Sequence, residues 1–263
     1  MAGASKGPQI GAIADELGGL PDGAIAILDE ERQPLHLARP PVVAALRYLL
    51  STVAVDGEVG LPATLALTAA MRGEGVTYVS RSLAAVTAYD TEDTVVLADL
   101  NWRNPPPTGD APTRRRRRSR PAATASNTDE GPTLIDVVES EVPLDEAIRP
   151  TSNPRLSFIA PGILPIARRN AVAASRALES AIAELSDRYK HVILDLPPVL
   201  ASGDAIRLSF LADAAALVVR QGVTSTQQVE TALEALRATP QLGVILNRSS
   251  SQVPRRLRRL VGA

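Results

Sequence analysis

Residues 63–77 read Ala-Thr-Leu-Ala-Leu-Thr-Ala-Ala-Met-Arg-Gly-Glu-Gly-Val-Thr. The first eight (63–70) have the length and apolar density of a buried strand. MRGEGVT (71–77) is a glycine-containing loop, and a helical stretch follows from Tyr78 to about Tyr89. The turn satisfies the spacing of a phosphate-gripping loop at every fixed position but one. Ala70 is the small residue, four spacers follow, then Gly75 and the hydroxyl of Thr77, but Val76 stands where a lysine is required. Such loops aim successive backbone N–H groups and a helix N-terminus at phosphate oxygens. Taken alone, a glycine-bearing strand-to-helix turn is common and decides nothing.

Working outward, apolar runs recur between helical patterns. Residues 23–28 suggest an edge strand, and a helix opened by Pro40-Pro41 runs over 42–55. A loop over 56–62 precedes the quoted stretch. Strands are expected at 94–100, 156–162, 191–199, 214–220 and 243–247, short helices at 133–140 and 143–148, and longer ones at 170–190 and 224–238. Strands alternating with helices predict an α/β fold, a mostly parallel sheet with helices on both faces. Ligands of such sheets sit at the carboxyl ends of the strands. Two further strands end there in an acid, VVLAD at Asp99 and VILD at Asp195. A strand-terminal carboxylate suits a magnesium ligand, though a single one is more often a helix cap.

Taken in order, these motifs resemble the bacterial tyrosine kinases of capsule and exopolysaccharide synthesis, in the MinD/ParA-like branch of P-loop ATPases. The resemblance runs from about Arg39 to Asn247. It rests on Gly73-Glu74-Gly75-Val76-Thr77, on Asp99-Leu-Asn101-Trp-Arg103-Asn-Pro105, on Asp195 with Pro197-Pro198, on Asp204-Ala205 and on a strand ending in Asn247. It implies ATP and Mg2+ as cofactors. Gly73, Glu74, Gly75, Val76, Thr77 and Asn247 would line the nucleotide; Thr77, Asp99 and Asp195 would hold the metal; and Asp99, Asp195 and Arg103 would be catalytic. The departures are as specific. Val76 replaces the lysine, and Asn101 stands where the family has a second acid. The family's oligomerising Glu-x-x-Arg-x-x-Arg keeps only Arg47, within Ala44–Leu50, and no tyrosine cluster ends the chain. The expectation is therefore a catalytically impaired homologue, a regulatory partner in polysaccharide synthesis and export. Two alternatives stay open. One is an active tyrosine kinase or ATPase using a displaced arginine, Arg72 or Arg103. The other is a ParA-like positioning protein that binds DNA or membrane.

Composition narrows the classes. The absence of Cys among 263 residues excludes disulfides, thiolate zinc sites and thiol catalysis, and two His exclude a His-rich metal centre. A net charge of −1 argues against a polycation built for nucleic acid, so specific nucleic-acid binding is not expected. Positive charge is nonetheless concentrated in Arg114–Arg118 and near the end of the chain, in PRRLRRL (254–260). Either run would meet an anionic membrane surface. Residues 104–132 are too polar and Pro-rich to offset ordering entropy. The expected organisation is an N-terminal extension (1–40), a P-loop-like domain (41–250) with a disordered Arg-rich insertion (106–131), and a basic tail (251–263). There is no run of 18 apolar residues and no secretory-type start. A cytoplasmic protein, peripheral at the inner face of the plasma membrane, is expected. Its expected partners are a membrane chain-length-determinant protein and, in a homo- or hetero-oligomer, an intact kinase.

Overall fold

Apolar side chains alternate between two faces of the central strands, and each face has its own helical cover. The computed structural model describes residues 21–29, 33–55, 58–104, 131–140 and 142–249. In chain order the elements are β1 (Ile25–Leu28), β2 (Pro34–Ala38), α1 (Pro40–Thr52), β3 (Ala54–Val55), β4 (Glu58–Val59), β5 (Thr64–Ala69), α2 (Val76–Asp90) and β6 (Val95–Asp99). Then come α3 (Leu134–Ser140), α4 (Leu144–Ala147), β7 (Arg149–Pro150), β8 (Leu156–Ile159), α5 (Ile166–Ala173), α6 (Arg176–Arg188) and β9 (His191–Asp195). The last are α7 (Ala205–Ser209), β10 (Ala214–Arg220), α8 (Thr226–Ala235) and β11 (Gln241–Asn247).

Seven strands form the main sheet in the order β11-β10-β5-β9-β6-β8-β7, all parallel except the β7–β8 pair. Leu65, Leu67, Val95, Leu97 and Ile193 pack with α1 and α2, whereas Ala66, Val96, Ala98, Val192 and Leu194 pack with α3 to α7. This is the period-two alternation of a sheet buried on both sides. A third cluster, with Leu217 and Val219 of β10, lies under α8. The doubly covered parallel sheet is the expected fold class. Among the described residues no helix is long and apolar enough to cross a membrane.

Several boundaries differ from the sequence reading, each for a local reason. The helix expected over 170–190 is two helices, because Ser175 caps α6 by accepting a hydrogen bond from the Leu178 amide. The first helix stops at Thr52, and Ala54–Val55 turn into a small hairpin with β4 inside the expected loop. The strand at 23–28 exists over 25–28 but does not edge the main sheet. It pairs antiparallel with β2, and Ile25, Ile27 and Ala38 join the core with α2. The strand expected over 191–199 ends at Asp195. Leu196 and Val199 still donate to β5 carbonyls, but Pro197 and Pro198 have no N–H to give. Helix α2 begins at Val76, two residues earlier than its apolar pattern suggests. The insertion 106–131, apart from its last residue, and the tail 251–263 lie outside the described residues, as do the arginine runs.

Candidate phosphate and cation site

β5 is an interior strand, flanked by β10 and β9, so its carboxyl end delivers the loop Ala70–Thr77 to the strand-end surface between them. The loop's shape depends on two left-handed glycines, Gly73 at φ +83° and Gly75 at φ +95°, the latter capping α2. Asn247, at the end of β11, donates from Nδ2 to the Glu74 carbonyl at 2.8 Å. A Cβ at Gly75 would lie 2.3 Å from that same Nδ2. Glu74 is buried and turns its side chain into the loop. Its Oε2 accepts from the amides of Ala70 (3.0 Å) and Met71 (3.2 Å), and Thr224 donates to Oε1. Glu74 was expected beside the nucleotide; it lines the cleft, but its carboxylate is a brace of the loop. The amides of the first turn of α2 have no intrahelical partner and form the anion-seeking end of the loop.

The cleft over this loop, about 240 Å³, is walled by Met71–Thr77, Asn101, Leu196 and Pro198. Val76 is buried and packs with Val79 and Leu83 in the α1–α2 core. Its methyl groups supply no charge to the cleft. A second, larger cleft of about 590 Å³ lies behind Gly75 and Asn247, between α1, α2 and β11, with Arg39, Tyr78 and Arg248 on its walls. Asn247, expected near an adenine, lines this second cleft, and Gly75 borders both.

Asp99 and Asp195 face each other in register across β6 and β9. Their environments differ. Asp99 Oδ1 accepts the Asn101 amide at 3.0 Å, and Oδ2 lies 4.0 Å from Arg81 Nη2. Burial pushes the Asp99 carboxyl up to about 6, opposed by the Asn101 N–H, Arg81 and Arg103. Asp195 is fully buried, and among the described residues no hydrogen bond of normal geometry reaches either of its oxygens. Burial first, and the neighbouring Asp99 second, push it well above the usual carboxylate range. The Thr77 and Ser80 hydroxyls and the Arg81 charge oppose that rise, but Ser80 spends its donor on the Val76 carbonyl at 3.0 Å.

The sequence-predicted residues thus meet at the strand ends of β5, β6, β9 and β11, with Arg103 at the margin. Arg103 is exposed, its backbone bridged to the Gly162–Leu164 segment. Among the described residues no three His, Asp or Glu converge on one point. A magnesium ion would therefore have Asp195 and Thr77, with water or phosphate oxygens completing the shell. The orphaned oxygens of Asp195 fit a cation and the Gly73–Gly75 backbone fits a phosphate, but Val76 does not. Sequence reasoning missed Arg81. Its signal was present: a lone charge in the buried run of α2, one helical turn beyond Thr77 and on the same face.

No family model matches the chain. It is 31% identical over 121 residues to the tyrosine-protein kinase ptk of Acinetobacter johnsonii, a match covering 46% of this chain and 16% of that protein. It is 27% identical over 183 residues to the tyrosine-protein kinase YwqD of Bacillus subtilis (strain 168), covering 69% and 70%. In structure it resembles the kinase domain of the Escherichia coli tyrosine kinase ETK, with TM-score 0.63 and 24% identity over 80% of this chain and 76% of that one. It also resembles the septum site-determining protein MinD of Pyrococcus horikoshii OT3, complexed with Mg-ADP, with TM-score 0.51 and 21% identity over 75% and 76%. At those identities the two structures speak for the fold alone. Sequence matches, strand order and loop geometry together make the chain similar to the bacterial tyrosine kinases, on a MinD/ParA-like P-loop fold, with valine at the position of the loop lysine.

Proposed function

We propose that this chain is a catalytically impaired kinase-like homologue that acts as a regulatory partner in capsule or exopolysaccharide synthesis and export. Its partner would be a membrane chain-length-determinant protein, and it would work beside an intact kinase at the inner face of the plasma membrane. The observation that carries the reading is Val76, an apolar side chain buried in a loop whose backbone and hydroxyl are otherwise in place. Phosphoryl transfer depends on positioning and charge neutralisation, and removal of a cation from such a site costs orders of magnitude in rate. The backbone cradle still favours phosphate, so weak binding of ATP with slow or absent turnover is the expected behaviour. Bound magnesium would neutralise charge on the phosphate oxygens. Thr77 and Asp195 would hold it, and Asn247 and Tyr78 would border the nucleoside.

The test is Val76→Lys. Purified natural protein should show little magnesium-dependent ATP hydrolysis and no phosphotyrosine of its own. The variant should bind ATP about 10- to 100-fold more tightly, the worth of one charge-assisted contact. Unchanged affinity would count against the cleft as a phosphate site. A second reading, an active ATPase or tyrosine kinase with a displaced cation, draws on Arg72, which is exposed and lines the cleft. Brisk turnover by the natural protein, abolished by Arg72→Ala or Arg103→Ala, would establish that reading instead.

A further inference from the structure

The acid pair has a cation beside it, but not at the loop. Arg81 lies four residues beyond Thr77 on α2, on the helix face that meets the ends of β6 and β9. Its guanidinium is fixed from three sides. Nη1 donates to the Leu35 carbonyl at 3.3 Å, the group lies 5.4 Å from the centre of the Phe158 ring, and Nη2 lies 4.0 Å from Asp99 Oδ2. Arg81 is mostly buried, with 27% of its side chain exposed, so solvent screens the pair less than it would at the surface. The Asn101 amide holds the other oxygen of Asp99. Both carboxylate oxygens of Asp99 therefore face protein donors, whereas no hydrogen bond of normal geometry reaches Asp195, which has the Thr77 and Ser80 hydroxyls beside it.

We propose that Arg81 is the built-in counter-cation of the Asp99–Asp195 pair, holding Asp99 out of metal ligation so that a divalent cation meets Asp195 alone. Arg81 is a positioning residue in this scheme. It touches neither metal nor phosphate, and it acts through Asp99. The consequence is a cleft that holds divalent cations weakly for a second reason, independent of Val76. One mobile charge competes with one fixed charge for the same two carboxylates, and Coulomb repulsion between the two lowers cation affinity. The inference rests on the reading of the cleft as a cation and phosphate site.

The experiment is a Mn2+ titration of the full chain without nucleotide at about pH 8, where free carboxylates are ionised, following unbound Mn2+ by electron paramagnetic resonance. Arg81→Gln should bind Mn2+ roughly tenfold or more tightly than the natural protein, and Arg81→Lys, which keeps the charge, should bind much as the natural protein does. Adding Asp195→Asn to Arg81→Gln should abolish the gain. If Arg81→Gln does not fold, Arg81→Gln/Asp99→Asn removes both partners together and should keep the natural affinity within about threefold. Loss of binding in that double variant would make Asp99 a ligand in the natural protein and overturn the proposal. So would a folded Arg81→Gln with unchanged affinity while Asp195→Asn still weakens binding. If Asp195→Asn changes nothing in any background, the cation reading of the cleft itself fails.

Discussion

The loop after β5 and the ends of β6 and β9 face one cleft but are built on opposite terms. In the loop every buried polar side chain has work inside the fold: the Glu74 carboxylate takes two amides and a hydroxyl, and the Asn247 amide takes a carbonyl. At the strand ends two carboxylates lie side by side, one held by Arg81 and Asn101 and the other by nothing of normal geometry. The loop is thus shaped by contacts that stabilise the chain, and its conformation does not depend on a lysine at position 76. Asp195 destabilises the chain, since an unpartnered buried carboxylate costs several kcal/mol or takes up a proton. A feature carried at such a cost is what the proposed cation site would account for.

The largest effect is expected on the loop side. Gly75→Ala places a Cβ in left-handed backbone and against Asn247 Nδ2, breaking its bond to Glu74. The expected loss is about 3 kcal/mol, from backbone strain plus a severed hydrogen bond, read by urea denaturation. Asn247→Ala alone should cost about 1 kcal/mol. The double variant should cost less than the sum, because the two changes disrupt one contact. Full additivity would mean that the loop is not held by Asn247, and the contrast with the strand ends would weaken.

On the acid side the two aspartates should differ in the size of their effect. In metal-free protein near neutral pH, Asp195→Asn should stabilise by about 2 kcal/mol, since it removes a carboxyl whose ionised form burial and the neighbouring Asp99 disfavour. Asp99→Asn should stabilise less, because the gain from removing a carboxyl that burial disfavours in its ionised form is offset by stranding Arg81. Thermal melting in a chelator reads both. Shifts of equal size would mean that Arg81 serves the two carboxylates equally.

How far this was readable in the sequence follows the same division. The strands β5, β6, β9, β10 and β11 announced themselves as apolar runs, and the ends at Asp99, Asp195 and Asn247 followed from them. The short strands β2 and β7 did not, because Pro34–Ala38 and Arg149–Pro150 carry little apolar pattern and owe their conformation to tertiary pairing. The break between α5 and α6 was hidden by continuous helical periodicity, and only the Ser175 cap betrays it. The site was legible as a list of strand-end residues but not as a set of contacts. Glu74 matched a spacer position, yet its buried carboxylate braces the loop. Arg72 and Arg103 were sought as spare cations because they neighbour the motifs in sequence. Arg81 was overlooked because its closeness to Asp99 arises across the α2–β6 packing, 18 positions away along the chain.

The smallest expected effect is a pH signature in which two groups cancel. Asp99 titrates near 6 in the folded protein against an ordinary 3.8, so between those values the native state binds more protons than the unfolded state. By linkage, stability falls as pH rises from about 4 to about 6, and the deficit is complete above that. Asp195, raised for the same reasons, adds to the fall. His36 acts in the opposite sense. Burial first and Arg81 second lower it from 6.5 to about 4, and its Nε2 pairs with Ser82 Oγ at 2.8 Å. Here the unfolded state binds more protons, so stability rises with pH from about 4 to about 6.5. The windows overlap, and the natural protein should show a shallow dependence over that range. His36→Gln should unmask a stability that declines with pH, by about 3 kcal/mol across the window, and Asp99→Asn should tilt the profile toward a rise by a similar amount. The check is urea denaturation at half-unit steps of pH in a chelator. If His36→Gln leaves the profile flat, the acid pair is not protonated on folding, and the strand ends are less costly to the fold than their burial implies.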